Sequence, residues 1–294
     1  MNLLELFLLA AIWGASFLFM RVATPELGAV VLIALRVGIA TLVLIPALRS
    51  AEARAQFCSR LRPLFIVGIT NSAIPFCLLA YSTLYVNAGM DSILNATTPL
   101  WTALVAVTFY QTVMNREQTL GLLLGVAGTV VLVWDTLDSG VKGIPVAIGA
   151  ALVATLCYGF AINYAKRNLV GVRPLVAAFG SQFFSTLILL PFAFFLWPRH
   201  PVADLTWACV AGLGIVCTGF AYILYFRLIE HMGAAYAASV TFVIPIFGVL
   251  WGTLFLGEQV TPITIAGGLI ILFGTALTSG KFGWMMPKRA QSPR

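Results

Sequence analysis

Two ionisable side chains stand inside long apolar runs of this sequence, Arg36 and Asp91. A charge kept in such a setting is expensive and marks a binding or gating group by default. A guanidinium offers a fixed charge and a planar fork of donors suited to a carboxylate. Arg36 therefore reads as a cavity cation that draws a substrate carboxylate, or as a structural group paired with Asp91 or with helix carbonyls. Asp91 reads as a cavity carboxylate and the best titratable candidate for proton coupling, or as a cap at a helix start, where a carboxylate suits the dipole. Asp91, Asn95, Thr98 and Thr102 follow at i, i+4, i+7 and i+11, one face of a helix, with Ser92 at its border. Lipid does not reward such a row, so it faces a cavity or another helix. Pro99 within it frees a carbonyl and permits a kink.

Aromatic residues at or near these polar positions include Trp13, Tyr81, Tyr85, Trp101, Tyr158, Tyr222 and Tyr225. Their rings could hold an apolar side chain or an ammonium; the alternative is core packing and interface belts. Tyr81, Trp101 and Tyr158 are the chosen cavity candidates. Asn163, Ser181 and Gln182 would add hydrogen bonds, or act as glue between helices.

The elements that position these residues follow from composition. The chain has 294 residues, 61% hydrophobic and 9% charged, with mean hydropathy +1.00. That is too little charge to cover a soluble fold of this size, so the outside must face lipid. A soluble enzyme, a nucleic-acid binder and a secreted scaffold are thereby excluded. Runs of about 20 apolar residues place ten membrane helices. They lie at about 3–23, 29–48, 63–83, 88–111, 119–134, 143–165, 174–197, 205–226, 232–256 and 261–279. The unbroken runs favour helices over a β-barrel. Met1 to Leu9 holds Glu5 and no Lys or Arg, so the first run is kept as a span and not as a cleaved signal.

Ten spans put both termini on one side. That side carries thirteen Lys and Arg and the opposite side three, Arg21, Lys142 and Arg199. The positive-inside rule then predicts cytoplasmic termini in a bacterial inner membrane. The five cysteines, Cys58, Cys77, Cys157, Cys209 and Cys217, have no metal spacing and read as small buried hydrophobes. No cofactor is expected.

The halves match at a steady offset. Gly14 pairs with Gly159, Thr41 with Thr186 and Pro46 with Pro191, 145 apart. Pro99 pairs with Pro245, Gly121 with Gly267 and Gly128 with Gly274, 146 apart; Phe76 and Tyr81 pair with Phe220 and Tyr225 at 144. Each half has an odd number of spans, so the second enters the membrane from the opposite side. The expected architecture is all-α, ten transmembrane helices as two inverted five-helix repeats around a central cavity. Residues 1–134 form the first repeat, 143–279 the second and 280–294 a basic cytoplasmic tail. Inverted repeats of this kind serve alternating access in secondary transporters. The pairs Gly121/Gly125 and Gly248/Gly252 permit close helix approach, within the monomer rather than in a homodimer.

The run Trp13-Gly14-Ala15-Ser16-Phe17 resembles a signature of the EamA family in the drug/metabolite transporter superfamily. Arg36, Pro99, Pro245 and Leu256-Gly257-Glu258 also match that family's pattern. In place of Gly-Glu the first repeat is read as Asn115-Arg116-Glu117, and the second has Tyr158-Gly159 for Trp-Gly and Ser181 for the arginine. The resemblance spans about residues 3–279. It implies an exporter of amino acids or related small metabolites, with drug or nucleotide-type metabolite carriage as the alternative. Trp13, Gly14, Pro99 and Pro245 would serve structure or gating, and the partners would be a small-molecule substrate and the bilayer, not nucleic acid. An intramembrane enzyme is disfavoured, because His200 and His231 fall in predicted loops and Asp91 is nearly alone. A non-transporting scaffold remains the rival of another class.

Overall fold

A computed structural model describes residues 2–137 and 143–280. Lys142 and residues 281–294 of the expected basic tail lie outside the described residues. The α-helices among the described residues are α1 (Asn2–Leu44), α2 (Ala51–Ser59), α3 (Leu61–Gly68), α4 (Ile74–Ser82), α5 (Ala88–Asn95), α6 (Thr98–Tyr110), α7 (Arg116–Leu137), α8 (Ile144–Asn168), α9 (Pro174–Phe195), α10 (Asp204–Ala211), α11 (Ala221–Met232), α12 (Ala234–Ala237), α13 (Val240–Leu256) and α14 (Pro262–Thr278). No strand occurs among the described residues. Among the described residues, seven helical stretches are long and apolar enough to cross a membrane, and Val240–Leu256 and Pro262–Thr278 are shorter apolar helices. Exposed Trp134, Phe194, Phe195 and Leu254 give the outside its apolar character. The protein is a multi-pass membrane protein.

Three departures from the expected spans have local causes. The first two runs are separate helices, as expected, joined within α1 at a kink: Gly28 is non-helical (φ 73°, ψ 155°), a conformation open to glycine, and the first helix runs past its expected end through Thr24, Pro25 and Glu26 to reach it. The third and eighth runs each contain a π segment, Ile69–Ala73 between α3 and α4 and Gly212–Phe220 between α10 and α11. The fourth run breaks between α5 and α6, at Ala96 and Thr97, just before Pro99, which has no N–H to give the preceding turn. Pro245 is instead contained inside α13. Residues 51–59, outside the expected spans, form α2, whose first turn Ser50 caps by accepting from Ala53 N–H at 3.1 Å. His231, expected in a loop, lies in the last turn of α11.

Contacts across the repeats repeat at the same offset. A methyl on Gly14 would stand 2.7 Å from Phe247 Cβ, and one on Gly159 2.8 Å from Thr102 N. Thus α1 meets α13 as α8 meets α6. Thr41 and Thr186 meet each other directly, Oγ1 to Oγ1 at 3.2 Å, where α1 packs on α9. Between α7 and α14, a Cβ on Gly121 would lie 2.6 Å from Thr278 N and one on Gly267 2.9 Å from Leu132 N. Gly248 closes on Ser92 and Gly252 on Glu258. Both glycine pairs are therefore used for packing inside the chain.

The ends before α7 and α14 also match. Asn115 caps α7, accepting from Gln118 N–H at 2.8 Å, and Thr261 caps α14, accepting from Thr264 N–H at 3.1 Å. Gln111 and Gly257 both take the left-handed conformation, at φ 52° and 65°. This corrects the alignment of the Gly-Glu motif: its counterpart in the first repeat is Gln111-Thr112, not Asn115-Arg116-Glu117, which instead begins with the helix cap.

Candidate functional site

Arg36 sits in the second half of α1 and is 5% exposed. Its Nε donates to Thr218 Oγ1 at 2.9 Å, and Nη1 lies 3.7 Å from Met20 Sδ. Its Cζ stands 3.9 Å over the Phe76 ring, a cation–π placement. The expected pairing with Asp91 does not form; among the described residues the ion pair within 4 Å joins Arg227 to Glu5 at 3.4 Å. Arg36 is thus a buried cation held by a hydroxyl, a thioether and a ring, with no carboxylate.

The π segments make this placement possible. Each inserts an extra residue per turn and turns side chains that a regular helix would point elsewhere. Thr218 lies in the second π segment, where its hydroxyl also donates to Leu213 O at 2.8 Å, five residues back. A Cβ on Gly214 would meet Arg36 O at 3.1 Å, so this segment lies against α1. The first π segment presents Asn71 and Ser72. Asn71 Nδ2 donates to Tyr222 Oη at 3.4 Å, Ser72 and Ser181 hydroxyls meet at 3.0 Å, and Gln182 Nε2 donates to Ser72 Oγ at 2.9 Å. Gln182 Oε1 is buried with no hydrogen-bond partner.

The ring under Arg36 has an aromatic neighbour of its own, and a second aromatic pair joins α1 to α11. Tyr158 packs edge-on to Phe76 at 6.4 Å, and Trp13 meets Tyr225 at 5.3 Å. Tyr81 is not brought to this group. It pairs with Tyr85 at 5.5 Å, at the expected outer end of α4, so Tyr81 and Tyr158 do not form the common cup expected of them.

The polar row on α5 and α6 divides. Thr98 and Thr102 donate to their own helix, to Asn95 O and Thr98 O, both at 2.8 Å. Trp101 is half-buried, and its backbone supports Gly159. Asn163 Nδ2 donates to Thr102 O and Gly159 O, both at 2.9 Å, which makes that amide a fastener between α8 and α6. Asn95 Oδ1 is buried without a partner. Asp91 caps nothing: the α5 cap is Asn87, which accepts from Met90 N–H at 2.7 Å.

Glu258 has a role that its motif did not reveal. Its carboxylate crosses from the second repeat to the first and accepts from Ala88 N–H at 2.8 Å and Gly89 N–H at 3.2 Å. A negative charge there meets free N–H groups and the positive end of the α5 dipole. Thr112, its counterpart, carries no charge. Glu258→Ala is expected to cost about 1–2 kcal/mol and lower the Tm of the purified protein by roughly 2–8 °C, with Glu258→Gln in between. An unchanged Tm would show that the cap contributes nothing.

A cavity of about 240 Å³ opens at the same end, lined by Arg21, Tyr85, Asn87, Met90, Gln259 and Thr264 among others. Arg21 Nη1 donates to Thr83 O beside it. The residues proposed for a central cavity do not line this one. Phe76, Thr218, Asn71 and Ser72, which do surround Arg36 and Gln182, were missed as site residues. The signal available was the polar run Thr70-Asn71-Ser72 in an otherwise apolar span, and Phe76 matched to Phe220.

Comparison with known proteins agrees with this architecture. The model of the EamA-like transporter family matches residues 2–134 and again residues 145–280. The chain belongs to the EamA-like transporter family. It is 24% identical to the uncharacterised transporter YoaV of Bacillus subtilis over 276 residues, covering 92% of this chain and 94% of that one. It is 22% identical over 265 residues to a probable terminal-alkyne amino-acid exporter of Streptantibioticus cattleyicolor, covering 90% and 89%. A solved crystal structure shares the fold with TM-score 0.64 at 19% identity, covering 95% of this chain and 97% of that one.

Proposed function

We propose that this transporter is a secondary carrier that exports amino acids or related small metabolites by alternating access. The observation that carries the reading is Arg36: a buried guanidinium with aromatic neighbours and no carboxylate among the described residues. A fixed cation in low dielectric is costly unless something anionic completes it. A substrate carboxylate does so, and Phe76 with Tyr158 packed on it suits a neutral or aromatic side chain. The relative named as a probable amino-acid exporter supports the same class.

The carrier has ten crossings in two inverted repeats, 1–134 and 143–279, with 280–294 as a basic tail. The first helical stretch of 46 residues, about 69 Å at 1.5 Å per residue, is long enough for two crossings either side of Gly28. The two shorter apolar helices supply the last two. Both termini lie in the cytoplasm of a bacterial inner membrane, on the count of Lys and Arg. The protein works as a monomer, its glycine pairs being used internally.

Counterflow in proteoliposomes tests this, with labelled neutral and aromatic amino acids, their amides, nucleosides and cationic drugs. Saturable exchange of free amino acids, lost for the amides, is the expected result. Exchange of cationic drugs alone would replace it with a drug carrier, and no saturable flux of any compound would favour a scaffold.

A further inference from the structure

Asp91 is completely buried, and neither of its carboxylate oxygens has a hydrogen-bond partner among the described residues. The Ser82 hydroxyl faces it from the end of α4 and is likewise buried and unpartnered. Helix capping does not explain the residue, since Asn87 and Glu258 already satisfy the first turn of α5. Ion pairing does not explain it either. Of the helices packed on α5, α8 brings Tyr158 within electrostatic range of Asp91, and α1 brings Arg21, which donates to Thr83 O beside Ser82 and lines the same cavity as Met90 but makes no bond to the Asp91 carboxyl among the described residues. The Glu258 carboxylate is at the far end of the same first turn.

An ionised carboxylate in such surroundings has, among the described residues, a single hydroxyl and no cation bonded to it to offset its burial. Two carboxylate oxygens and one hydroxyl are too few for a hard metal cation, which takes six or more oxygen ligands. A proton needs no more than this. With it, the carboxyl has an O–H to donate to Ser82 Oγ; without it, the Ser82 hydroxyl can turn to donate to the carboxylate, so the pair serves both protonation states.

The position suits exchange in two directions. Val86, Asn87 and Met90 line the cavity at the expected outer end, and Met90 is the chain neighbour of Asp91. On the inner side, Tyr158 lies within electrostatic range of both Asp91 and Arg36. We propose that Asp91, with Ser82, is a proton-binding site set between the outer cavity and the Arg36 group, through which a proton gradient acts on transport. The proton adds to a carboxylate oxygen and leaves to water; no other bond changes.

Infrared difference spectroscopy of the full chain in lipid nanodiscs, at a series of pH values, tests this with the proton itself as the probe. The expected result is a carboxylic-acid band that grows as pH falls. It is lost in Asp91→Asn and shifted in Ser82→Ala, which removes the acceptor. An acid band unaltered in Asp91→Asn, or one that does not change with pH, overturns the proposal. Should Asp91→Asn not yield folded protein, Ser82→Ala decides: an unshifted band also overturns it. Counterflow needs no gradient, so the Arg36 reading stands or falls separately.

Discussion

Arg36→Ala is expected to weaken binding of the amino acids that pass the counterflow screen by roughly 10–150-fold. That is the loss of a hydrogen-bonded contact to a charged group, about 1.5–3 kcal/mol. Arg36→Lys should rescue little. A lysine keeps the charge but lacks the second and third nitrogens of the fork and the flat face that lies over Phe76 at 3.9 Å. Thr218→Ala is the informative companion, because it removes the Nε partner and leaves the charge. Its effect should be the smaller. The measurement is the apparent affinity in proteoliposomes at matched folded yield. Normal affinity in Arg36→Ala would assign the residue to structure alone.

The largest effect on folding is expected at Gly274. A side chain there begins 2.5 Å from Gly125 N and 2.7 Å from Gly121 O, against backbone on a facing helix that has no flexible end to yield. Gly274→Val must force α7 and α14 apart, at a cost of about 1–3 kcal/mol or more. In a membrane, association of these helices depends on close packing and not on hydrophobic burial. The expected outcome is a collapse of monodisperse yield in detergent. Gly149→Ala is the matched control. It is helical, with nothing within 4 Å of the new methyl, and should leave yield unchanged or raise Tm slightly. Equal behaviour of the two variants would remove close packing of α7 on α14 as a determinant of stability.

Much of the candidate site is legible in the sequence. Arg36 and Asp91 stand out because a charge in an apolar run is rare, and rarity is a property of the sequence alone. Gly14, Gly159, Gly121 and Gly267 stand out because the repeat places them in register. The π segments were not legible, since they depend on a shift of one residue in the hydrogen-bond ladder that composition does not mark. Their consequence was therefore hidden too. Thr218 reaches Arg36 across 182 residues, and Asn71 reaches Tyr222 across 151.

The polar row on the fourth run shows the same limit from the other side. Its spacing puts Asp91, Asn95, Thr98 and Thr102 on one face of an unbroken helix, but the run breaks at Ala96 and Thr97, and spacing does not say what each part meets. The threonines spend their hydroxyls on their own carbonyls, Asn163 is spent on fastening, and Asp91 meets only an orphan hydroxyl. The Glu258 motif was visible as a pattern, while its target, the N–H groups of Ala88 and Gly89, lies 170 and 169 residues away.

The sequence by itself determined that this chain lives in lipid, that its halves are related, and that a cation and a carboxyl are buried in it. Each of these follows from transfer free energies and periodicities that add along the chain. Only the tertiary structure decided that the two charges do not meet, that a ring and a hydroxyl hold one of them, and that the other is left without a partner. Those outcomes depend on which helices touch, and contact between distant helices is selected by packing at glycine faces and breaks in the helix, where the energy belongs to pairs of residues and not to either one alone.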